Sequence, residues 1–258
     1  MINRPPKLEG FKGKEKAILM GSLLGDGMLQ KRGIHSFRYR VSQGIKEEDY
    51  VNWKYDQLKR LCVTTQPPKK VTDKKGFVTV GFYTSSGDYL KDCFDLFYKE
   101  LPGSLEKGRS SYIKKITPEL IDQLPMQPEV LAVWFMDDGS ARNDCYAGNL
   151  ATQCFSLEEN HLLQKYLKKW GIHSNVSRHT KTTDQYYLYI PSRSFPKLIE
   201  LVEPIINQIP SMKYKLNEDR RGKARPGRPP AWARSNDPFL IRRSLLFEVK
   251  DTLFSIFK

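Results

Sequence analysis

Two stretches of this sequence are apolar on nearly every helical face, and each stops at an aspartate–glycine pair. Residues 15–25 carry Ala17-Ile18-Leu19-Met20-Gly21-Ser22-Leu23-Leu24 into Gly25-Asp26-Gly27. Residues 129–138 carry Val130-Leu131-Ala132-Val133-Trp134-Phe135-Met136 into Asp137-Asp138-Gly139. A helix without a polar face has to be buried all round. Two of them, ending alike and 112 residues apart, put a repeat at the centre of the fold.

The chain after each ending keeps to one plan. Phe37, Tyr39 and Val41 alternate with Arg38, Arg40 and Ser42, the signature of a half-buried strand. Leu150 to Phe155 takes the same place after the second ending, and a glutamine recurs, Gln43 at 17 and Gln153 at 15 residues past the aspartate. Helices are expected at 47–62 and 157–170, acidic first and basic last as the helix dipole prefers. Ser156 and Glu159 have capping-box spacing. Strands are expected at 77–83, 174–180 and 185–190, and closing helices at 87–100 and 194–208, with 101–127 as connector. Each half therefore spells helix, strands, helix, strands, helix, an α+β pseudo-dimer. The halves are residues 1–110 and 111–216. The remainder, 217–258, holds a Pro/Gly/Arg-rich stretch that cannot pack as an element, read as a basic arm, and an amphipathic helix running to Phe257.

One Asp-Gly is an ordinary turn. Two at the ends of adjoining buried helices are different, because each helix C-terminus already presents roughly −0.5 charge. Stacking two carboxylates there is costly unless a hard cation takes up the charge, and Mg²⁺ prefers carboxylate, carbonyl and water oxygens. Asp26 and Asp138 are the candidate metal ligands, with Mn²⁺ able to stand in for Mg²⁺. Asp137, about 100° round the helix, should point elsewhere. Gly21 and Gly25, four apart, give the first helix a small-residue face for close helix contact.

The charge balance, 43 Lys+Arg against 29 Asp+Glu for a net +14, points to a polyanionic partner. The longest candidate for a membrane span, Ala17 to Leu24, is eight residues and interrupted by Gly21 and Ser22, far short of the ~20 that span a bilayer. Met1 to Pro6 opens no apolar h-region, so no membrane segment and no secretory signal is expected. Cys62, Cys93, Cys145 and Cys154 form no C-x-x-C pair, which fits reduced thiols inside a cell and not a zinc cluster. His35, His161, His173 and His179 form no compact nuclease pattern, and Asp73-Lys74-Lys75 matches D-x-K only at the level of chance.

The stretches Leu19 to Gly27 and Leu131 to Gly139 resemble the two motifs of a double-motif, intron-encoded LAGLIDADG homing endonuclease, and Pro210 to Leu216 resembles the terminal block of that subfamily. The resemblance covers residues 15–216. It implies two αββαββα units with saddle-shaped antiparallel sheets, motif helices forming the interface, and metal held by Asp26 and Asp138. It also implies a lysine near each site, matched by Lys115 and Lys215, and polar residues ordering catalytic water, matched by Gln43 and Gln153. Val133 and Asp137 stand where the family often has small residues, which leaves close packing to Gly21 and Gly25. The implied activity is double-strand cleavage, by a monomer, of a long, weakly symmetric DNA site, leaving 3′ overhangs. Arg38, Arg40 and Ser42 are the first candidates for base reading, and Arg220, Arg221, Arg225 and Arg228 for contacts to phosphates. The implied compartment is an organelle matrix, with a bacterial cytoplasm as alternative. An intron-RNA maturase and a DNA-binding regulator are rival readings on the same fold, and the paired aspartates favour the nuclease.

Overall fold

The two apolar runs form helices α1 (Gly13–Leu24) and α5 (Pro128–Asp138), buried along nearly their whole length. The computed structural model describes residues 11, 13–63, 65–101, 111–180 and 182–221. The basic stretch after 221 and the helix expected before Phe257 lie outside the described residues, so Arg225 and Arg228 do too. For Arg220 only the backbone is described, at the end of a 3-10 turn.

Each motif helix begins the same series of elements. In the first half α1 leads to β1 (Met28–Gly33), β2 (Ser36–Gly44), α2 (Glu48–Leu58), β3 (Lys69–Thr72), β4 (Val78–Tyr83) and α3 (Lys91–Phe97). In the second α5 leads to β7 (Gly139–Ala141), β8 (Gly148–Leu150), α6 (Leu157–Lys169), β9 (Asn175–Arg178), β10 (Tyr186–Ile190) and α7 (Phe195–Ile206). Strand orders are β1-β2-β4-β3 and β7-β8-β10-β9, all pairs antiparallel. The pseudo-repeat of αββαββα units is thus present in topology as well as in sequence. Both halves belong to one unit that extends to Gly222.

Between the repeats, the stretch expected as a bare connector holds two further elements. β6 (Tyr112–Lys114) pairs with β5 (Tyr98–Glu100), and α4 (Pro118–Gln123) comes next with Thr117 as its N-cap. The helix expected at 87–100 is correspondingly shorter. It stops at Phe97 because residues 98–100 pair with β6, while Tyr98 stacks on Phe94 at 4.9 Å and accepts the Leu29 N–H.

The strand expected across Leu150 to Phe155 ends at Leu150. Beyond it the backbone is held by a side chain instead of a ladder: Asn160 Nδ2 donates to the carbonyls of Thr152, Phe155 and Ser156. The Ser156–Glu159 capping box is formed and starts α6 directly after this turn. β1, β3 and β7 carried no clear alternation; β3, exposed at every residue, is an edge strand with no buried face to mark it.

α1 and α5 touch through glycine. A Cβ on Gly21 would lie 2.6 Å from the Val130 carbonyl oxygen, and one on Gly25 would lie 2.5 Å from Asp137 Cβ. Backbone cannot retreat as a side-chain tip can, so Gly21→Ala should cost about 1–3 kcal/mol. At ~2–4 °C per kcal/mol, that is a visible drop in thermal midpoint. Gly33→Ala, whose methyl meets only Ser36 Cβ at 3.7 Å, should stay within about 0.5 kcal/mol of the parent. Equal midpoints for the two variants would mean that α1 and α5 lie further apart than described.

Candidate active site

The two Asp-Gly endings do not finish alike. α1 stops at Leu24, and Asp26 sits exposed in the turn after it, where Gly25 and Gly27 both donate to the Ser22 carbonyl. α5 continues through Asp138, which is half-buried, and Gly139 leaves the helix as extended backbone. Gln43, on β2, donates from Nε2 to Asp26 Oδ2 at 2.9 Å. Its counterpart Gln153 makes no such bond to Asp138. It lines a hollow of about 340 Å³ with Ser140, Asn149, His179 and Tyr187, because the chain there has left the sheet.

Two lysines close on the helix ends. Lys114 Nζ donates to the carbonyls of Gly25 and Gly27, both at 2.7 Å. Lys215, almost fully buried, donates to the carbonyls of Phe135, at 3.3 Å, and Met136. Lys215 therefore sits on carbonyls of the last turn of α5, and Lys114 on carbonyls of the turn just past α1, so each puts a cation where it offsets the dipole of a helix C-terminus. Lys115, the residue singled out from sequence, turns the other way and lies 3.9 Å from Glu159, itself occupied in the capping box. Strand β6 decides between neighbours: Tyr112 and Lys114 share the less exposed face, and Ile113 is outside. That alternation was the available signal, masked by the Lys114-Lys115 doublet.

Lys215 is fixed by the block that carries it. Residues 210–216 form a 3-10 helix, closed by Asn217 in the left-handed conformation (φ 54°), whose Nδ2 donates to the Arg142 carbonyl. Asp49 of α2 accepts from the backbone N–H and hydroxyl of Ser211, which ties this late segment to the first half. Arg221 just beyond is paired with Glu203 at 2.9 Å.

Asp137 does point away from Asp138's surroundings, into a fully buried ion pair. Its Oδ1 accepts from Lys54 Nζ at 2.7 Å and from Tyr50 at 2.8 Å, and its Oδ2 from Ser22 at 3.2 Å. Lys54 also donates to Ser22, and Ser22 meets Tyr39 of β2 at 2.7 Å. Sequence reasoning missed Lys54. It lies four residues after Tyr50 and four before Leu58, on the buried face of α2, where a lysine is tolerated only with a partner in place.

Charge is concentrated here. Burial, then Asp26 and Asp137, raises the Asp138 carboxyl to about 7, against the pull of Lys114 and Lys215. Burial lowers both lysines, although the aspartates oppose it. Glu47, half-buried beside Lys215, is raised by burial first. The hydroxyls of Tyr39 and Tyr50 are pushed well above their usual range by burial and Asp137, so they remain donors. Among the described residues no three His, Cys, Asp or Glu side chains gather as a self-sufficient metal cage. Two carboxylates beside carbonyls and open solvent are what the site offers.

Known proteins share both this sequence pattern and this fold. Residues 16–198 match the LAGLIDADG DNA endonuclease family. The chain belongs to that family. It is 32% identical over 208 residues to the cytochrome b mRNA maturase bI2 of Saccharomyces cerevisiae, covering 78% of this chain but only 46% of that protein. It is 27% identical over 220 residues to DNA endonuclease I-ChuI of Chlamydomonas applanata, covering 81% of this chain and 97% of that one. The fold matches the homing endonuclease I-WcaI bound to its DNA recognition sequence, with TM-score 0.65 and 24% identity over 82% of this chain and 88% of the other. The matched stretch takes in α5 and nearly all of α1, with Asp26 in the turn just past α1 and Asp138 the last residue of α5.

The raised Asp138 carboxyl has a consequence for stability. The folded state holds its proton up to about pH 7, whereas an ordinary carboxyl releases it near 3.8. Protons are then bound more tightly by the folded chain, and its stability falls as pH rises between those values. In metal-free buffer Asp138→Asn should remove that fall. At pH 8 it should exceed the parent by at least about 1 kcal/mol, or ~2–4 °C in thermal midpoint. A variant no more stable than the parent at pH 8 would refute the burden assigned to this carboxylate.

Proposed function

We propose that this chain is a sequence-specific double-strand DNA endonuclease of the intron-homing kind, hydrolysing phosphodiesters with a divalent cation and leaving short 3′ overhangs. The observation that carries this reading is the meeting of Asp26 and Asp138 at the ends of two helices that glycine allows to touch. Nothing in packing calls for two carboxylates there, and Asp138, raised first by burial and then by Asp26, bears the cost of the position.

The donor set fits a hard divalent cation: carboxylates of Asp26 and Asp138, with room for water and phosphate oxygens. When bound, Mg²⁺ (or Mn²⁺) supplies Lewis-acid polarisation of a phosphoryl oxygen and lowers the pKa of coordinated water. The chain's own groups do the rest. Gln43 fixes the orientation of Asp26 and would help to order water beside it. Gln153 lies within its hollow, where it can order water on the second side. Lys114 and Lys215 keep positive charge at the two helix ends, where charge develops on a phosphate as it is cut. Asp137 is taken up by Lys54 inside the protein and so does not join the ligand set, although its charge still helps to raise Asp138. Arg38, Arg40 and Ser42 line the exposed face of β2, where the sheet meets the major groove.

One chain supplies both motif helices, which supports a monomer acting on a long, weakly symmetric site. The similarity to a cytochrome b mRNA maturase supports an organelle matrix and keeps intron RNA as a second partner. In that reading the aspartates would be idle. Among the described residues no helix is long and apolar enough to cross a membrane.

Asp26→Asn and Asp138→Asn should each abolish double-strand cleavage of an intron-lacking allele in Mg²⁺ while leaving specific binding largely intact. Wild-type cutting by either would remove that residue from the site. An RNA-splicing activity unchanged in both would support the second partner. For the lysines, Lys114→Met should slow cleavage by roughly 10²-fold or more, the scale of losing one preset charge at the reacting centre. Lys115→Met should change it less than about threefold. Single-turnover rates decide this, and the opposite order would restore Lys115.

A further inference from the structure

The exposed faces of the two sheets share a topology and differ in chemistry. Antiparallel register places Gln30, Arg38, Arg40, Tyr83 and Lys69 on one face of the first sheet. The corresponding face of the second carries Ser140, Asn149, Asn175, Ser177, Tyr187 and Tyr189, with no charge among them. On the first face the two arginines converge on one ring. The Arg38 guanidinium carbon lies 4.1 Å from the centroid of Tyr83, and that of Arg40 lies 5.7 Å away. Arg38 is braced further, its Nε donating to Gln30 Oε1 at 2.9 Å. Neither guanidinium has a carboxylate partner among the described residues.

Two cations left this close without an anion do not help the fold, since like charges on one strand face repel. The arrangement does suit a ligand. The Nε of Arg38 is spent on Gln30, which leaves its paired Nη groups as a fork, the geometry that meets guanine O6 and N7. A long arginine loses rotamer freedom on binding, and a ring that already holds it reduces that loss. Residues two apart on a strand are about 6.8 Å apart, which matches two base steps of about 3.4 Å.

We infer that Arg38, Tyr83 and Arg40 form a preset reader of guanine at two positions no more than two base steps apart, confined to the DNA arm that lies on the first sheet. The second sheet reads its arm through amides and hydroxyls, without a matching guanine pair. Tyr83 is a positioning residue in this scheme. It stacks under both guanidiniums and need not touch a base, and its hydroxyl has no part in the role. The inference rests on the DNA-binding reading proposed above and says which bases one arm of the site must contain.

The test is selection of full-length protein on a randomised double-stranded DNA library with Mg²⁺ omitted, then base-by-base substitution of the selected site. The parent should prefer guanine at two such positions in one arm only, each by roughly 5- to 150-fold over other bases, the range of a good bidentate contact. Arg38→Ala and Arg40→Ala should each erase one of these preferences. Tyr83→Leu should weaken both at least about threefold while base preferences in the other arm persist. Tyr83→Phe, which keeps the ring, should retain both. Unchanged guanine preferences in Tyr83→Leu would overturn the role of the ring. A selected site without a guanine pair in either arm would overturn the reader altogether. Enrichment of no sequence at all is a different result: it would remove the DNA-binding reading beneath the inference, and the inference with it.

Discussion

Close approach of α1 and α5 is the constraint on which the rest of the site depends. A methyl group on Gly21 or Gly25 would collide with the opposite helix, so the helices meet with almost no side chain between them at those points. Their C-terminal ends are thereby brought side by side, and with them two sets of free carbonyls and two aspartates. The local electrostatics follow from burial and from this gathering of charges together. Asp138 is raised, Lys114 and Lys215 are drawn onto the carbonyls, and Lys54 is buried to answer Asp137.

Such a cluster would be a poor choice for stability alone. A buried pair such as Lys54–Asp137 repays its desolvation only with good geometry and additional hydrogen bonds, and here Ser22 and Tyr50 provide them. The result is an uneven sharing of charge among three aspartates. Asp137 is neutralised inside the protein, Asp138 is held at the margin, and Asp26 faces solvent beside Gln43. A site left short of positive charge at one point, and supplied with it around, is the arrangement that the proposed cation and phosphate would require.

The parts of this structure legible in the sequence are those with strong periodicity or strict sterics. The all-apolar runs ending at Asp26 and Asp138, the alternation along 37–42 and the Ser156–Glu159 spacing each have one physical reading. What escaped was decided by partners far away in the chain. β3 shows no alternation because it has no buried face, and the strand expected past Leu150 gives way to a turn because Asn160 satisfies its carbonyls. Lys114 and Lys115 are indistinguishable as letters, and only the pairing of β6 with β5 turns one of them inward. Nothing near Lys54 in the chain marks it as buried, because its partner Asp137 comes from α5.

The contacts that finish the site cross the pseudo-repeat again and again. Asp137 of the second half is answered by Lys54 of the first, and Lys114, past the first repeat, reaches back to Gly25 and Gly27. Ser211, near the end of the second, is anchored on Asp49. A chain built from two like units has in this way tied its parts to one another. Exchanging one half for that of a relative would carry over a complete αββαββα unit and still leave a buried aspartate without its lysine and a helix end without its cation. Recombination between such genes is therefore constrained less by the fold, which both halves share, than by a few asymmetric pairings that must travel together.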